Sequence, residues 1–131
     1  MSLEVHVVTP EREVWSGDAT LVVARGVEGD VGIMAQHAPL LIRLAVGPLT
    51  VRREGEDLLA VVDGGFLHVT SAEEATRVDV LATSVALADD IDVAAEQERK
   101  ADAESRLATA RDDADAAADL AQAQARLKLL G

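Results

Sequence analysis

Residues 58–65 read Leu-Leu-Ala-Val-Val-Asp-Gly-Gly, and this stretch decides the class of fold that the chain adopts. Its first five residues are apolar on both faces, which is typical of a central β-strand in a packed core. Asp63-Gly64-Gly65 then indicates a tight turn or a β-bulge, because glycine adopts backbone conformations that other residues avoid. The run Leu21–Ala24 is also apolar throughout, and glycines follow it at positions 26 and 29. Both segments predict central strands of an all-β domain.

Alternating segments lie on either side of these runs. Leu3, Val5 and Val7 alternate with polar neighbours, and Val78 and Val80 do the same. A period of two predicts strands with one buried and one exposed face. Turn signals separate the segments every ~8–12 residues, and no helix long enough for a parallel crossover lies between them. Residues 1–84 therefore predict a β-domain that is a sandwich or a flattened barrel.

Residues 85–131 have a different composition and predict helices. No Gly or Pro occurs from Asp89 to Leu130, and the strong helix formers Ala, Glu, Arg and Gln are abundant there. Asp112-Asp113 is the expected break, where an aspartate side chain caps the free amides of a second helix. We therefore predict a two-helix hairpin, with a single long helix as the alternative.

The hairpin is expected to have an alanine-rich inner face. In its first helix Ala94, Ala101 and Ala108 repeat every seven residues. Glu96–Lys100 and Asp102–Arg106 are expected to be ion pairs on the solvent side. In the second helix the expected inner face comprises Ala116, Leu120, Ala123, Leu127 and Leu130. Burying an alanine methyl contributes about 0.8 kcal/mol, and a leucine contributes roughly twice that or more. We therefore expect the hairpin to be held weakly and to be able to detach.

Composition restricts the classes of partner. The chain has 131 residues, a net charge of −12 and no cysteine. The charge argues against binding to nucleic acid or anionic lipid, and the lack of cysteine excludes a disulfide scaffold or a thiolate metal site. Aromatic residues make up only 2%, so we expect a core of Val, Leu, Ile and Ala beside Trp15 and Phe66. Neither a secretory signal nor an apolar bilayer-length stretch is evident, so a soluble cytosolic protein without direct membrane insertion is expected.

No group of residues has the spacing of a catalytic, metal or cofactor site. His6, His37 and His68 stand apart, and no carboxylate or cysteine follows them at a metal-ligand interval. Gly26, Gly29 and Gly32 mimic a phosphate-binding loop, but no Lys-Ser or Lys-Thr follows. No serine lies in a nucleophile elbow. We therefore expect an interaction protein that needs no cofactor or metal, and not an enzyme.

A longer motif points to one family. Residues 28–41 read Glu-Gly-Asp-Val-Gly-Ile-Met-Ala-Gln-His-Ala-Pro-Leu-Leu, with Gly47 and the segment Asp63–Val69 further on. These residues strongly resemble the epsilon subunit of bacterial F-type ATP synthases. Residues 7–10, 14–17 and 78–82 fall where that family has similar residues, so the resemblance covers essentially the whole chain. The composition is similar to that of actinobacterial members.

The resemblance implies a sandwich of about ten strands over residues 1–84 and an antiparallel two-helix hairpin over residues 85–131. It implies a non-catalytic rotor subunit in the central stalk of the proton-translocating ATP synthase, at the cytoplasmic face of the bacterial plasma membrane. The sandwich would bind the gamma subunit and the c-ring, and other subunits would perform catalysis. Asp30 and His37, on and beside one turn, are expected to face the c-ring loops. The residues implied to contact partners are Asp30, Gly32, His37, Pro39, Gly65 and Phe66.

The resemblance also implies that the hairpin can extend into the catalytic head and inhibit ATP hydrolysis. Arg111, Arg126 and Lys128 are the expected contacts there, and the surrounding aspartates predict weak inhibition. Some relatives bind ATP through Ile/Leu-Asp-x-x-Arg-Ala, of which Ile91 and Asp92 remain here while Ala95-Glu96 replace Arg-Ala. We therefore expect feeble ATP binding and favour a helix N-terminal role for Asp92.

A second departure precedes His37, where family members commonly have Pro-Gly and this chain has Ala35-Gln36. The turn at this point is therefore expected to differ slightly. The sequence leaves two alternatives to the rotor subunit. An unrelated β-sandwich adaptor with a helical interaction tail would bind neither gamma nor a c-ring, and a nucleotide sensor or small-ligand enzyme lacks a convergent polar site.

Overall fold

The computed structural model describes residues 2–131, which form eight β-strands, a 3-10 turn at Ala88–Asp90 and two α-helices. The strands are β1 (Leu3–Val8), β2 (Glu13–Ala19), β3 (Leu21–Gly26), β4 (Gly29–Ile33), β5 (Leu40–Arg52), β6 (Leu58–Ala72), β7 (Ala75–Ala82) and β8 (Val85–Leu87). The helices are α1 (Val93–Thr109) and α2 (Ala114–Leu130).

The strands belong to one sheet with the order β2-β1-β7-β6-β5-β3-β4, and β8 pairs with β6. All pairings are antiparallel except that of β1 with β7. Residues that alternate along the strands bury their side chains in a single core, so the sheet folds over itself as a sandwich. The predicted fold class, a β-sandwich followed by a two-helix hairpin, is confirmed.

The core consists of aliphatic side chains. Its largest fully buried members include Leu3, Ile33, Leu49 and Leu67. Trp15 packs against this core and is partly buried, as expected. Phe66, in contrast, is 44% exposed and lies outside the core. The reason is its register in β6, where its neighbours Gly65 and Leu67 alternate with it and Leu67 points inward.

The corner of the sandwich lies where β5 and β6 pass from one half of the sheet to the other. Gly64 and Gly65 have φ angles of +82° and +118° within β6, which only glycine adopts readily. β7 and β8 both pair with β6, on the same edge and in one continuous register. This register is interrupted only at Thr83-Ser84. Eight strands are observed instead of about ten because β5 and β6 each run through the corner and count once.

The helices follow the sheet after a short connection. The predicted division after residue 84 falls at the break between β7 and β8, and β8 still pairs with β6. Asp92 then caps α1 and Asp113 caps α2, with carboxylate oxygens 3.2 and 3.0 Å from the amides of Ala95 and Ala116. The predicted break at Asp112-Asp113 is therefore confirmed and the single long helix is excluded. Within residues 2–131 neither helix is long and apolar enough to cross a membrane.

Gly65 is expected to tolerate no side chain. A Cβ atom at this position would lie 2.1 Å from the Leu81 carbonyl oxygen, and the φ angle is unfavourable for other residues. We expect Gly65→Ala to lower the free energy of unfolding by about 3–5 kcal/mol, which combines backbone strain with a steric clash. Urea unfolding of the full chain measures this loss.

Gly55→Ala is the matched control, because Gly55 also has a positive φ (+96°) but no atom lies within 4 Å of the added Cβ. Its expected cost is about 1–2 kcal/mol of backbone strain alone. Equal losses for the two variants would show that the crowding at the corner is unimportant.

Candidate partner-binding surfaces and the hairpin joint

One half of the sheet includes β2, β1, β7 and the part of β6 after the corner. Its outer face has an exposed apolar row. Cross-strand pairing aligns Val8 with Leu81, Leu81 with Phe66, and Phe66 with Arg43. Phe66 and Leu81 are 44% and 46% exposed, and with Pro10 they line a shallow groove. An apolar row this exposed is typical of a surface that a protein partner covers. The sequence indicates Phe66 as a partner contact but gives no sign of Leu81 and Val8, which the strand register brings beside it.

A band of charged side chains borders the apolar row. Arg77 donates two hydrogen bonds from its Nε and Nη2 atoms to Asp79, at 3.0 Å or slightly longer, and its Nη1 atom lies 3.9 Å from Glu4. His6 Nδ1 lies 2.6 Å from Glu13 Oε1, while its Nε2 has no hydrogen-bond partner. The hydrogen bond with Glu13 raises the pKa of His6 above its ordinary value, although burial and Arg77 oppose this. The face therefore combines an apolar row with ion pairs fixed across neighbouring strands.

A second exposed region surrounds the turn between β3 and β4. Asp30 accepts a hydrogen bond from Arg25 Nε at 3.1 Å, across the β3–β4 pair. Val27 is 57% exposed, and Leu41 beside it is 63% exposed; both line an open pocket at this turn. Gly32 lies further along β4, where a Cβ atom would make only an ordinary contact of 3.7 Å with Leu21. The backbone at Gly32 therefore does not require glycine.

The segment between β4 and β5 contains His37 and Pro39. The Gln36 amide donates to Thr76 Oγ1 at 2.8 Å, and the His37 carbonyl accepts from Ser71 Oγ at 2.9 Å. Gln36 has a φ angle of +68°, a left-handed conformation that is uncommon outside glycine. Met34 is 62% exposed at the start of this segment. These hydrogen bonds anchor the segment to the β6–β7 end of the sheet.

Asp30 and His37 do not share a turn. Asp30 begins β4 beside the β3–β4 turn, whereas His37 follows the opposite end of the strand at Ile33. Since a strand rises about 3.3 Å per residue, Asp30 and Ile33 alone are separated by ~10 Å. The expectation that the two side chains lie on and beside one turn is therefore wrong.

The two helices pack through small residues and ion pairs. Ala116 and Ala123 of α2 are fully buried, as predicted, whereas Leu130, also predicted on the inner face, is 43% exposed. The buried residues of α1 are Glu96 and Ala103. The predicted inner face of α1 at Ala94, Ala101 and Ala108 is wrong, because all three are exposed. The predicted solvent pair of Glu96 with Lys100 is also wrong, because Glu96 turns toward α2. The predicted pair of Asp102 with Arg106 is confirmed at 3.1 Å.

Charged residues form a seam between the helices. Arg99 and Arg106 of α1 both bind Asp119 of α2, at 3.2 and 2.5 Å. The hydrogen bond from Arg106 holds the pKa of Asp119 below its ordinary value. Glu96 accepts hydrogen bonds from Arg126 at 3.2 Å and from Arg99 at 3.3 Å. Asp92 thus acts as a helix cap, and Glu96 forms an ion pair between the helices. Ile91, which precedes them, is partly buried.

The hairpin rests on the outer face of the other half of the sheet, which contains the part of β6 before the corner. α2 packs on β5, β6 and the 3-10 turn, and α1 packs on α2. At the joint, Arg126 Nη2 lies 3.4 Å from Asp63 Oδ2, which also accepts a hydrogen bond from the Ser84 hydroxyl. Lys128 is exposed and lines the crevice between α2 and Pro48, and Arg111 is exposed at the start of the helix connection. Of the three basic residues expected to contact the catalytic head, only Arg126 is engaged at this joint.

Asp63 and Glu96 were not foreseen as joint residues. A signal for Asp63 exists, since a charge that ends a two-sided apolar run indicates either a turn or a buried ion pair. For Glu96 the sequence offers no comparable signal, because its spacing to Lys100 suits an exposed pair equally well.

Comparison with known proteins agrees with this architecture. Residues 2–88 match the family model described as the ATP synthase delta/epsilon chain β-sandwich domain. The chain is 47% identical over 121 residues to an ATP synthase epsilon chain of Streptomyces griseus, covering 90% of this chain and 89% of the relative. It is 43% identical over 134 residues to ATP synthase epsilon chain 1 of Methylococcus capsulatus, covering 99% and 93%.

Solved structures share the fold. A chain from the Euglena gracilis mitochondrial ATP synthase (OSCP/F1/c-ring) superposes with a TM-score of 0.84 at 21% identity, covering 99% of this chain and 82% of that one. A chain from the Tetrahymena thermophila mitochondrial ATP synthase (central stalk and c-ring) gives a TM-score of 0.55 at 23% identity, covering 85% and 92%.

The pair formed by His6 and Glu13 makes stability depend on pH. Because the folded pKa of His6 is raised above the unfolded value of about 6.5, the pair stabilises the fold fully below that value. The contribution is lost as pH rises through the folded pKa. We expect NMR titration of His6 to give a midpoint above 6.5 and Glu13→Gln to lower it.

Glu11→Gln is the control for Glu13→Gln, since it removes a nearby exposed carboxylate that has no hydrogen bond to His6. It should leave the His6 midpoint within ~0.2 units of the wild-type value, the scale of a screened surface charge. Equal shifts in both variants would contradict a specific His6–Glu13 pair.

Proposed function

The chain belongs to the ATP synthase epsilon-chain family, and we propose that its sandwich binds the gamma subunit and the c-ring. As a member of that family it is a central-stalk subunit, which couples rotation of the ring to the catalytic head. The observation that carries this conclusion is the similarity to epsilon chains through both the sandwich and the hairpin. We propose further that it is a non-catalytic accessory subunit, peripheral at the cytoplasmic face of the plasma membrane, with catalysis performed by other subunits.

The gamma subunit is proposed to cover the apolar row of Val8, Leu81 and Phe66. Phe66 and Leu81 are exposed in the isolated chain and Val8 is partly buried. Burying about 40 Å² of apolar surface contributes about 1 kcal/mol. Gly65 precedes Phe66 at the corner, and its conformation sets the direction in which Phe66 projects. The neighbouring pairs of Arg77 with Asp79 and of His6 with Glu13 would form the polar rim of this interface.

The c-ring is proposed to contact the region at both ends of β4. This region presents the exposed carboxylate of Asp30 at one end and His37 with Pro39 at the other. Val27 and Leu41 add exposed apolar surface beside Asp30. The polar loops of a ring could therefore contact both a charged and an apolar surface along the length of β4.

Asp30→Arg and His37→Glu are each expected to weaken association with the membrane sector about fivefold at low salt. Charges at an interface rim act mainly on association rate and specificity, so the loss should shrink as salt is raised. Reconstitution of the chain with depleted membranes, followed by quantitative pelleting, measures the association.

Asp57→Arg is the matched control for Asp30→Arg. Asp57 also faces an arginine, Arg52 at 3.8 Å, but it lies before β6 at the opposite end of β3 from the Arg25–Asp30 pair. It should bind like the wild type. If Asp30→Arg and His37→Glu also assembled and pumped protons like the wild type, neither residue would be a contact site.

The hairpin is proposed to be a weak inhibitor of ATP hydrolysis. In the docked state Arg126 is already bound to two carboxylates, which leaves Arg111 and Lys128 as exposed basic residues of this segment. Asp112 and Asp115 lie close to Arg111 and oppose its attraction to an acidic partner surface. ATP is expected to bind feebly, since Asp92 caps α1. Glu96 also pairs with Arg99 and Arg126, the cations that a phosphate group would need.

Removing the hairpin tests this regulatory role. Deletion of residues 92–131 retains β8 and the 3-10 turn, so the sheet of the sandwich stays complete. In the assembled enzyme we expect ATP hydrolysis to rise a few-fold while ATP synthesis is preserved. A rise of tenfold or more, about 1.4 kcal/mol of lost inhibition, would show that the hairpin is a strong inhibitor despite its acidic composition.

A further inference from the structure

Three charged side chains that are buried or partly buried meet where the hairpin joins the sandwich. Asp63 of β6, Glu96 of α1 and Arg126 of α2 have side chains that are 4%, 8% and 19% exposed. Arg126 lies 3.4 Å from the Asp63 carboxylate and 3.2 Å from that of Glu96. We propose that these three residues form a latch, in which the shared guanidinium of Arg126 holds the hairpin in its docked position.

The latch is the polar link between the two parts of the protein. Among residues 2–131 the pair of Arg126 with Asp63 is the one ion pair that joins the helices to the sandwich. The remaining contact is made by small and aliphatic side chains of α2 such as Ala125 and Leu129, beside Pro48. Such a contact buries little area per residue, so it holds the hairpin only weakly and in no particular register. The ion pair therefore selects one docked position.

The charges at the latch balance only when the hairpin is docked. Asp63 keeps the hydroxyl of Ser84 in either state, but it loses its cation when α2 leaves. Glu96 retains Arg99 at 3.3 Å as a second cation, so its pairing is internal to the hairpin. While the hairpin is docked, loss of one partner of this ion pair is strongly unfavourable, because the other charge is then buried under α2 with less compensation. The free energy of docking therefore depends on Asp63 far more than on any exposed charge of α2.

Val61 marks the surface that the latch keeps closed. It is 0% exposed, yet it lies outside the core, since its neighbours Ala60 and Val62 point inward. Val61 shares the outer face of β6 with Asp63, and α2 is the helix packed on β6. Docking therefore hides an apolar strip of the sheet, and release of the latch uncovers it.

Docking also competes with any use of Arg126 elsewhere. The guanidinium that the hairpin would present to an acidic partner is the same group that neutralises Asp63. This competition rests on the proposed regulatory role of the hairpin, whereas the latch itself does not.

The latch can be tested with a thiol probe, because the chain has no natural cysteine. Val61→Cys places a thiol under α2, and Val62→Cys places one in the core as a reporter of global unfolding. Labelling of each thiol in the full-length chain measures how often its site opens. Asp63→Asn or Arg126→Gln is then introduced, with Lys128→Gln as the control that removes a charge from the same helix.

We expect Asp63→Asn and Arg126→Gln to raise the labelling rate at position 61 about tenfold or more, with the rate at position 62 unchanged. Lys128→Gln should stay within about twofold of wild type, as for an exposed charge. Asp63→Asn decides the matter if Arg126→Gln prevents the helices from forming, since it leaves the Glu96–Arg126 pair intact. The latch is refuted if Asp63→Asn leaves the rate at position 61 unchanged, if Lys128→Gln raises it equally, or if the rate at position 62 rises in parallel. None of these results depends on which partners the sandwich binds.

Discussion

The arrangement of the molecule depends on the interactions of Asp63, whose carboxylate is buried. The Asp63 amide donates to the Ser84 carbonyl at 3.0 Å, which carries the β6 ladder across the break between β7 and β8. Its side chain accepts from the Ser84 hydroxyl and from Arg126. Gly64 and Gly65 follow at once and turn the strand into the other half of the sheet. One short segment therefore sets the corner of the sandwich and the seat of the hairpin.

The corner divides the outer surface of the sheet between two uses. Before the corner β6 offers Val61 and Asp63 to α2, and after it β6 exposes Phe66 beside Leu81. The proposed release of the hairpin would therefore leave undisturbed the apolar row proposed to bind the gamma subunit. A rotor subunit needs this separation, since a regulatory movement must not detach it from the rotor.

The fold could largely be predicted from the sequence, because its signals are local. Alternation at Leu3–Val7 and the apolar run before Asp63 determine strands, and Asp113 determines a helix cap through its own side chain. The polar contacts between distant elements could not be predicted, because they depend on how those elements pack. Glu96 is buried only because Arg126, thirty residues later, is brought beside it. The proposed contact residues Asp30 and His37 show the same limit, since their motif is continuous in sequence but spans both ends of β4.

The central claim is that this chain is part of an ATP synthase rotor, and copurification from its native membranes tests it most directly. An affinity tag after Gly131 extends from the exposed end of α2. After mild detergent extraction, mass spectrometry should find the gamma subunit and the c subunit together with the subunits of the catalytic head, in comparable amounts. Recovery of a different set of proteins, without either gamma or c, would contradict the account and favour an adaptor of another assembly.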